Sequence, residues 1–310
     1  LVPVPFDATT SYRRGAARGP QAILRASYQV DLHDHEVGDP WRAGIALLDP
    51  PPGVAERGKE ARRRVEALRE APDEARRREV DTLCFEVNDA VENEVGRWLK
   101  AGKLVGTIGG DHATAFGAIQ AHVRHFGPLG LLHVDAHADL RRDYEGFRWS
   151  HASVMEAVCR LLPDVEQLVQ VGVRDYCEEE AERIAAQAGR IFTHFDADLN
   201  QRLFDGDSWS RLVSEIIAPL PERVYVSFDI DGLDPKLCPN TGTPVPGGLS
   251  FAQACYLIRA LATSGRRIAG FDLVEVAPGP DGDEWDGNVG ARLLYKMIGW
   301  ALRSARGPTD

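Results

Sequence analysis

The feature that most constrains the fold is a recurrence of short apolar runs, Lys103–Ile108, Leu129–Val134, Leu168–Val173, Arg223–Ile230 and Arg267–Val276. Amphipathic segments of helical length alternate with them, among them Ser208–Ile217, Ser250–Ser264 and Val289–Arg303. A strand with one wet face alternates apolar and polar residues; these runs are close to continuous, so both of their faces need cover. The pattern predicts an α/β fold with a central, mostly parallel sheet between two helical layers, a three-layer α/β/α architecture. Ligands in such sheets sit beyond the carboxyl ends of the strands.

With 310 residues, 44% of them apolar and 27% charged, the chain can bury a large core. Its net charge of −11 repels phosphate backbones and attracts cations, which predicts no nucleic-acid partner. Cys84, Cys159, Cys177, Cys238 and Cys255 are scattered without CxxC spacing, as in a reducing cytoplasm. No run approaches the roughly 18 apolar residues of a membrane span, and LVPVPFD lacks the regions of a signal peptide. The expected location is therefore the cytoplasm, with no membrane partner. The chain opens at Leu1 without Met, which predicts that residues have been removed or left out before it. Gly58–Lys100, dense in Arg and Glu, reads as two solvated helices split near Pro72, with no separate binding role.

Acidic and imidazole side chains cluster where the apolar runs end. LVGTIGGDHA places Asp111 and His112 just past one strand, LLHVDAHADL places Asp135, His137 and Asp139 past the next, and VYVSFDIDGLDP brings Asp229, Asp231 and Asp234. Alternation along a strand sends 135, 137 and 139 to one side, and 229 and 231 likewise. Taken singly, GGDH is an ordinary Gly-Gly turn and Asp234-Pro235 a turn starter. Together they gather carboxylates into an apolar setting with few basic residues nearby, and buried charge must be paired or metal-bound. Oxygen donors with two imidazoles suit two divalent ions of the manganese type, with nickel, cobalt and zinc as alternatives.

The set GGDH, DAHAD and SFDIDGLDP, in that order and spacing, resembles the ureohydrolase family of arginases and agmatinases. The resemblance extends to VPFDATTSYRRGAARGP, SHAS at 150–153, GVRD at 172–175, TGTPVPGG at 241–248 and FDLVEVAPGPDGDEWDGNVGARLLYK. It implies one catalytic domain over 1–310, a sheet of about eight strands, a dinuclear manganese site, and hydrolysis of a guanidinium group to an amine and urea. Carried over by position, it assigns the metal ligands to His112, Asp135, His137, Asp139, Asp229 and Asp231. It also assigns the acid/base histidine to His151, the guanidinium-binding glutamate to Glu275, a catalytic share to Asp139, and a pocket-lining position to Thr243. Trp149, just before SHAS, is expected to wall the pocket. His122, His125 and His133 read as packed or surface histidines outside this set.

A guanidinium stays protonated at physiological pH, and water is too weak a nucleophile for its resonance-stabilised carbon. A pair of metal ions overcomes this by lowering the pKa of a shared water. Glu275 would orient the planar cation, and His151, with a pKa near about 6.5, would protonate the leaving amine. Arginases hold the α-amino acid end of arginine with an Asn where this chain has Arg141, and with an Asp where it has Cys177. DLRxxYEGxxxSHAS is instead similar to agmatinases, which points to agmatine, a small cationic guanidino compound. Aminopropylagmatine, guanidinobutyrate, guanidine and arginine are the alternatives. Glu178, Glu179 and Glu180 either attract the distal ammonium or simply start a helix. Two readings from other classes are a metallophosphoesterase, whose DxH and GNH motifs run in the reverse order, and a metal-binding pseudoenzyme. The resemblance further suggests a homo-oligomer, a trimer or hexamer.

Overall fold

A computed structural model describes residues 1–305. In chain order the elements are β1 (Val2–Pro3), α1 (Gly19–Ser27), α2 (Val54–Glu70), α3 (Glu74–Lys100), β2 (Val105–Ile108), α4 (Ala115–Phe126), β3 (Leu129–Val134), α5 (Val154–Leu161), β4 (Val165–Val173), α6 (Glu178–Ala186), β5 (Ile191–Phe195), α7 (Asp196–Phe204), α8 (Trp209–Ile217), β6 (Arg223–Asp229), α9 (Phe251–Thr263), β7 (Arg267–Val274) and α10 (Trp285–Ser304). Among the described residues the strands form one seven-stranded sheet in the order β1-β2-β7-β6-β3-β4-β5. Every neighbouring pair is parallel. The fold is the expected three-layer α/β/α arrangement, with seven strands where the resemblance implied about eight. The last five residues of the expected 1–310 domain lie outside the described residues.

Alternation along each strand divides the core in two. Leu129 and Leu131 of β3 join the apolar layer of α2–α5, whereas Leu132 and Val134 join that of α8–α10. Cover on both faces is why the strands read as continuous apolar runs. Local signals set the ends of several helices. Ser250 and Gln253 form a reciprocal capping box at α9, and Ser208 caps α8. Pro72 separates α2 from α3, and the Asp73 carboxylate accepts from the amides of Ala75 and Arg76 to start the second helix.

The chain order and the sheet order differ where it matters. β2 leads through α4 to β3, yet β7 and β6 lie between those two strands. The loops leaving β2 and β3 therefore part, opening a crevice at the carboxyl edge. Into it project the strand ends of β2, β7, β6 and β3, the arrangement in which parallel sheets bind ligands.

Candidate metal centre and active site

His112 follows a turn at Gly109–Gly110 that β1 and its loop press against. A Cβ on Gly110 would stand 1.7 Å from the Phe6 carbonyl oxygen, so only glycine allows this approach. His112 is 1% exposed, and its Nδ1 lies 3.0 Å from Asp135 Oδ2, 3.1 Å from Asp139 Oδ2 and 3.4 Å from Asp229 Oδ2. A second group adjoins the first. His137 Nδ1 lies 3.3 Å from Asp135 Oδ1 and 3.3 Å from Asp231 Oδ2. The structure thus brings all six expected ligand residues together as two groups that share the Asp135 carboxylate, one oxygen facing each.

Asp139 and Glu275 adopt left-handed backbone conformations, with φ of 54° and 62°. Such conformations cost non-glycine residues on the order of 1–3 kcal/mol and persist where neighbours enforce them. Here the Asp139 carbonyl accepts from the amides of Met155 and Glu156 at the start of α5. The Glu275 amide donates to Gly110 O, and Thr241 Oγ1 donates to the Glu275 carbonyl. Both carboxylates are thereby turned into the crevice.

Among the described residues, the ion-pair partners of these expected ligand carboxylates are histidines, with no Lys or Arg. Burial, reinforced by Asp135, pushes Asp139 up to about 6. Burial, then Asp231 and Asp135, pushes Asp229 well above the carboxylate range. Glu275 rises likewise through burial and the nearby Asp229, Asp111 and Asp231. Burial alone would lower His112 and His137, yet the surrounding carboxylates raise both well above the ordinary imidazole value. The cluster by itself relieves its negative charge by taking up protons, and divalent cations answer the same demand. Glu275 Oε2 and Asp111 Oδ1 are buried without a hydrogen-bond partner. This donor set, oxygen-rich with two imidazoles, fits hard or borderline divalent ions.

A cavity of about 220 Å³ opens over His137, Asp139 and His151. Thr243 lines it and sits 3.4 Å from Asp231 Oδ2. Glu275 is buried outside its lining, accepting from the His112 amide at 3.0 Å through Oε1. His151 Nε2 is 3.5 Å from Ser11 Oγ, and burial together with His137 and His112 lowers His151 to about 3. That is below the ordinary imidazole value, so in metal-free protein His151 is neutral, an acceptor before it is a donor. The expected place of Trp149 is corrected. Its indole packs 5.4 Å from the Phe85 ring and 5.0 Å from the Phe116 ring, in the helical layer and away from the cavity. The Arg148 and Trp149 amides donate to Asp81 Oδ1, and this turn sets Trp149 against the helical layer.

The sequence model of the Arginase family matches residues 1–299. The chain belongs to the arginase family. It is 37% identical over 96% of its length to the N(1)-aminopropylagmatine ureohydrolase of Thermus thermophilus, covering 88% of that protein. It is 32% identical over 95% of its length to the agmatinase of Proteus mirabilis, covering 84% of it. Among solved structures, the agmatine ureohydrolase of Thermoplasma volcanium superposes with a TM-score of 0.75 at 27% identity, over 98% of this chain and 90% of that one.

Ser11, Tyr12 and Tyr144 line this arginase-family site without a role assigned from the sequence. Ser11 and Tyr12, on the loop after β1, wall the cavity; the VPFDATTSYRR segment that carries them was the available signal. Arg141 sits 3.4 Å from Glu180 and over the Tyr144 ring, so the three form one wall. Of the glutamate trio, Glu180 alone reaches the cavity. It is buried and accepts from the amides of Leu140 and Cys177, while Glu178 and Glu179 are exposed. Asp234 caps a turn by accepting from the Lys236 amide and takes no part. His133, packed as expected, nevertheless touches an expected ligand, with Nε2 2.8 Å from Asp135 Oδ2. Its position two residues before Asp135 on the same strand face was the available signal.

Proposed function

We propose that this chain hydrolyses agmatine to putrescine and urea with a pair of manganese ions. The observation that carries the reading is the Asp135 carboxylate, with one oxygen beside each of two His/Asp groups. His112, Asp135, Asp139 and Asp229 would hold one ion, and His137, Asp135 and Asp231 the other. When bound, the ions lower the pKa of water enough to supply hydroxide at neutral pH. Glu275 Oε2, buried and unpartnered, suits the N–H edge of a planar guanidinium, whose positive charge favours the ionised carboxylate. Anchored by the His112 amide on its other oxygen, Glu275 holds the cation in one orientation. His151, neutral and next to the Ser11 hydroxyl, accepts a proton at Nε2 as the reaction proceeds and delivers it to the departing amine.

The tail end of the cavity supports a substrate without an α-carboxylate. Arg141 and Cys177 stand where arginases carry clamp residues, and Arg141 is occupied by Glu180. A second reading, aminopropylagmatine as substrate, is supported by the 37% identity to the Thermus thermophilus protein named for it. Urea release from agmatine, aminopropylagmatine, guanidinobutyrate and arginine, measured with manganese and with nickel, tests both readings. Agmatine should give the highest kcat/KM. Arginine turned over as fast as agmatine would overturn the substrate assignment, and absence of urea from every compound would leave a metal-binding pseudoenzyme.

The whole chain, 1–310, is read as one catalytic domain, working in the cytoplasm as a trimer or hexamer in polyamine biosynthesis. Sedimentation velocity at micromolar concentration tests the assembly. No helix among the described residues is long and apolar enough to cross a membrane.

A further inference from the structure

Immediately below the ligands, one register row crosses six strands and is polar throughout. Thr107 pairs with Asp272, Asp272 with Ser227, Ser227 with His133, His133 with Gln170, and Gln170 with Thr193. Side chains of one register row share a face of the sheet. All but Thr193 are essentially inaccessible, and the next row down on the same face, Val105, Gly270, Tyr225, Leu131, Leu168 and Ile191, is apolar but for the Tyr225 hydroxyl. Burying so many polar groups is costly unless each finds a partner. Their hydrogen bonds lead to two metal ligands.

We propose that this row is a positioning floor whose fixed donor directions set His112 and Asp135 for the metal ions, with His133 acting as a donor to Asp135 and not as a ligand. The directions follow from the partners. Gln170 Nε2 donates to the Ala138 carbonyl at 2.7 Å, and Gln170 Oε1 accepts from Thr193 Oγ1 at 2.9 Å, so the amide has one orientation. The same Nε2 lies 3.0 Å from His133 Nδ1, which must then accept. With Nδ1 accepting, the ring hydrogen is on Nε2, aimed at Asp135 Oδ2 at 2.8 Å. On the other branch, Ser227 Oγ donates to Asp272 Oδ1 at 2.9 Å, so it accepts from His112 Nε2 at 2.9 Å. The His112 lone pair is thereby kept on Nδ1, facing Asp135, Asp139 and Asp229. Hydrogens point toward the ligand carboxylate on one branch and away from the ligand imidazole on the other. Both leave free electron pairs where a cation would sit.

His133 is close enough to His112, Asp135 and Asp139 to be a ligand by position alone. The orientation of Gln170 is what removes it from that role. This inference rests on the metal-centre reading above, and the test separates the two. In metal-free protein carrying 15N-labelled histidine, the His133 resonances, assigned by their loss in His133→Gln, should show a protonated Nε2 and a bare Nδ1. The reverse pattern overturns the proposal, whether or not the wild type binds manganese or releases urea. Manganese affinity, measured by competition with a chelator, should fall about 10- to 100-fold in Ser227→Ala and in His133→Phe, with two ions per chain retained at saturation. His133→Gln, whose amide nitrogen takes the place of Nε2, should stay within about threefold of wild type, a rescue expected of a donor. A drop to one ion per chain in His133→Phe makes His133 a ligand and overturns the proposal, as does unchanged affinity in Ser227→Ala and His133→Phe together. If His133→Phe fails to fold, the tautomer and Ser227→Ala still decide.

Discussion

Arg62, on the charged helix α2, reaches across to the loop that roofs the cavity. Its Nη1 lies 3.0 Å from Ala8 O, 3.2 Å from Thr10 O, 3.1 Å from Thr10 Oγ1 and 3.5 Å from Asp7 O. Ala8 and Thr10 are buried, and Ala8 O has no other donor among the described residues. Replacing Arg62 by Met, of similar length, leaves that carbonyl orphaned at about 1–3 kcal/mol and removes charged hydrogen bonds of about 1.5–3 kcal/mol. Relief of the buried guanidinium, whose pKa burial lowers, offsets part of this. A net loss of about 2–4 kcal/mol is expected, a fall in Tm of about 3–6 °C for a chain of this size. The loop also carries Ser11 beside His151, and a displacement of about 1 Å costs on the order of 100-fold in rate. Thermal melts and urea release on Arg62→Met should therefore move together, with Arg62→Lys between it and wild type. A lower Tm with kcat/KM within twofold of wild type would refute the idea that α2 holds the loop for catalysis.

Glu275→Gln removes one charge and keeps the shape, so kcat/KM for agmatine should fall about 10- to 100-fold while two manganese ions remain bound; a change under threefold in a urea assay would place the guanidinium elsewhere. His151→Ala should keep both ions and lower kcat about 100-fold or more. Because burial holds His151 near 3, the acid limb of the wild-type pH profile above pH 5 should survive in that variant, and a limb that vanishes with His151 would contradict its neutrality. In metal-free protein, Asp139 at about 6 and Asp111 at about 8 are raised by burial above their unfolded values, and His112 and His137 are raised by their carboxylates. The folded state then holds more protons than the unfolded one, so stability falls as pH rises from 6.5 to 8. The opposing effect of His151 operates only below about 6.5, its unfolded value. Differential scanning fluorimetry should show this slope without metal and lose it with saturating manganese, since ligands bind as deprotonated groups.

Much of the fold was legible because both-face burial writes itself as continuous apolar runs, and the strand Leu129–Val134 was read to the residue. β5 was not, since Ile191–Phe195 is an edge strand and four of its five residues are only half-buried. β1, two residues long, is too short for any period to show. Asp135, His137 and Asp139 were legible as a polar motif at a strand end. But β3 stops at Val134 and Asp139 reaches the site through a left-handed backbone, so strand alternation is not what gathers them. Trp149 was misread because the turn that aims it at the helices is held by Asp81, remote in the chain. The chain by itself determined the alternation of strands and helices and which strand ends carry carboxylates and imidazoles. Tertiary structure alone decided that β7 and β6 lie between β2 and β3, that Ser11 faces His151, and that Asp272, Ser227, His133 and Gln170 fall in one row. Strand order and register are set by contacts between residues remote in the chain, which no periodicity within a single segment encodes.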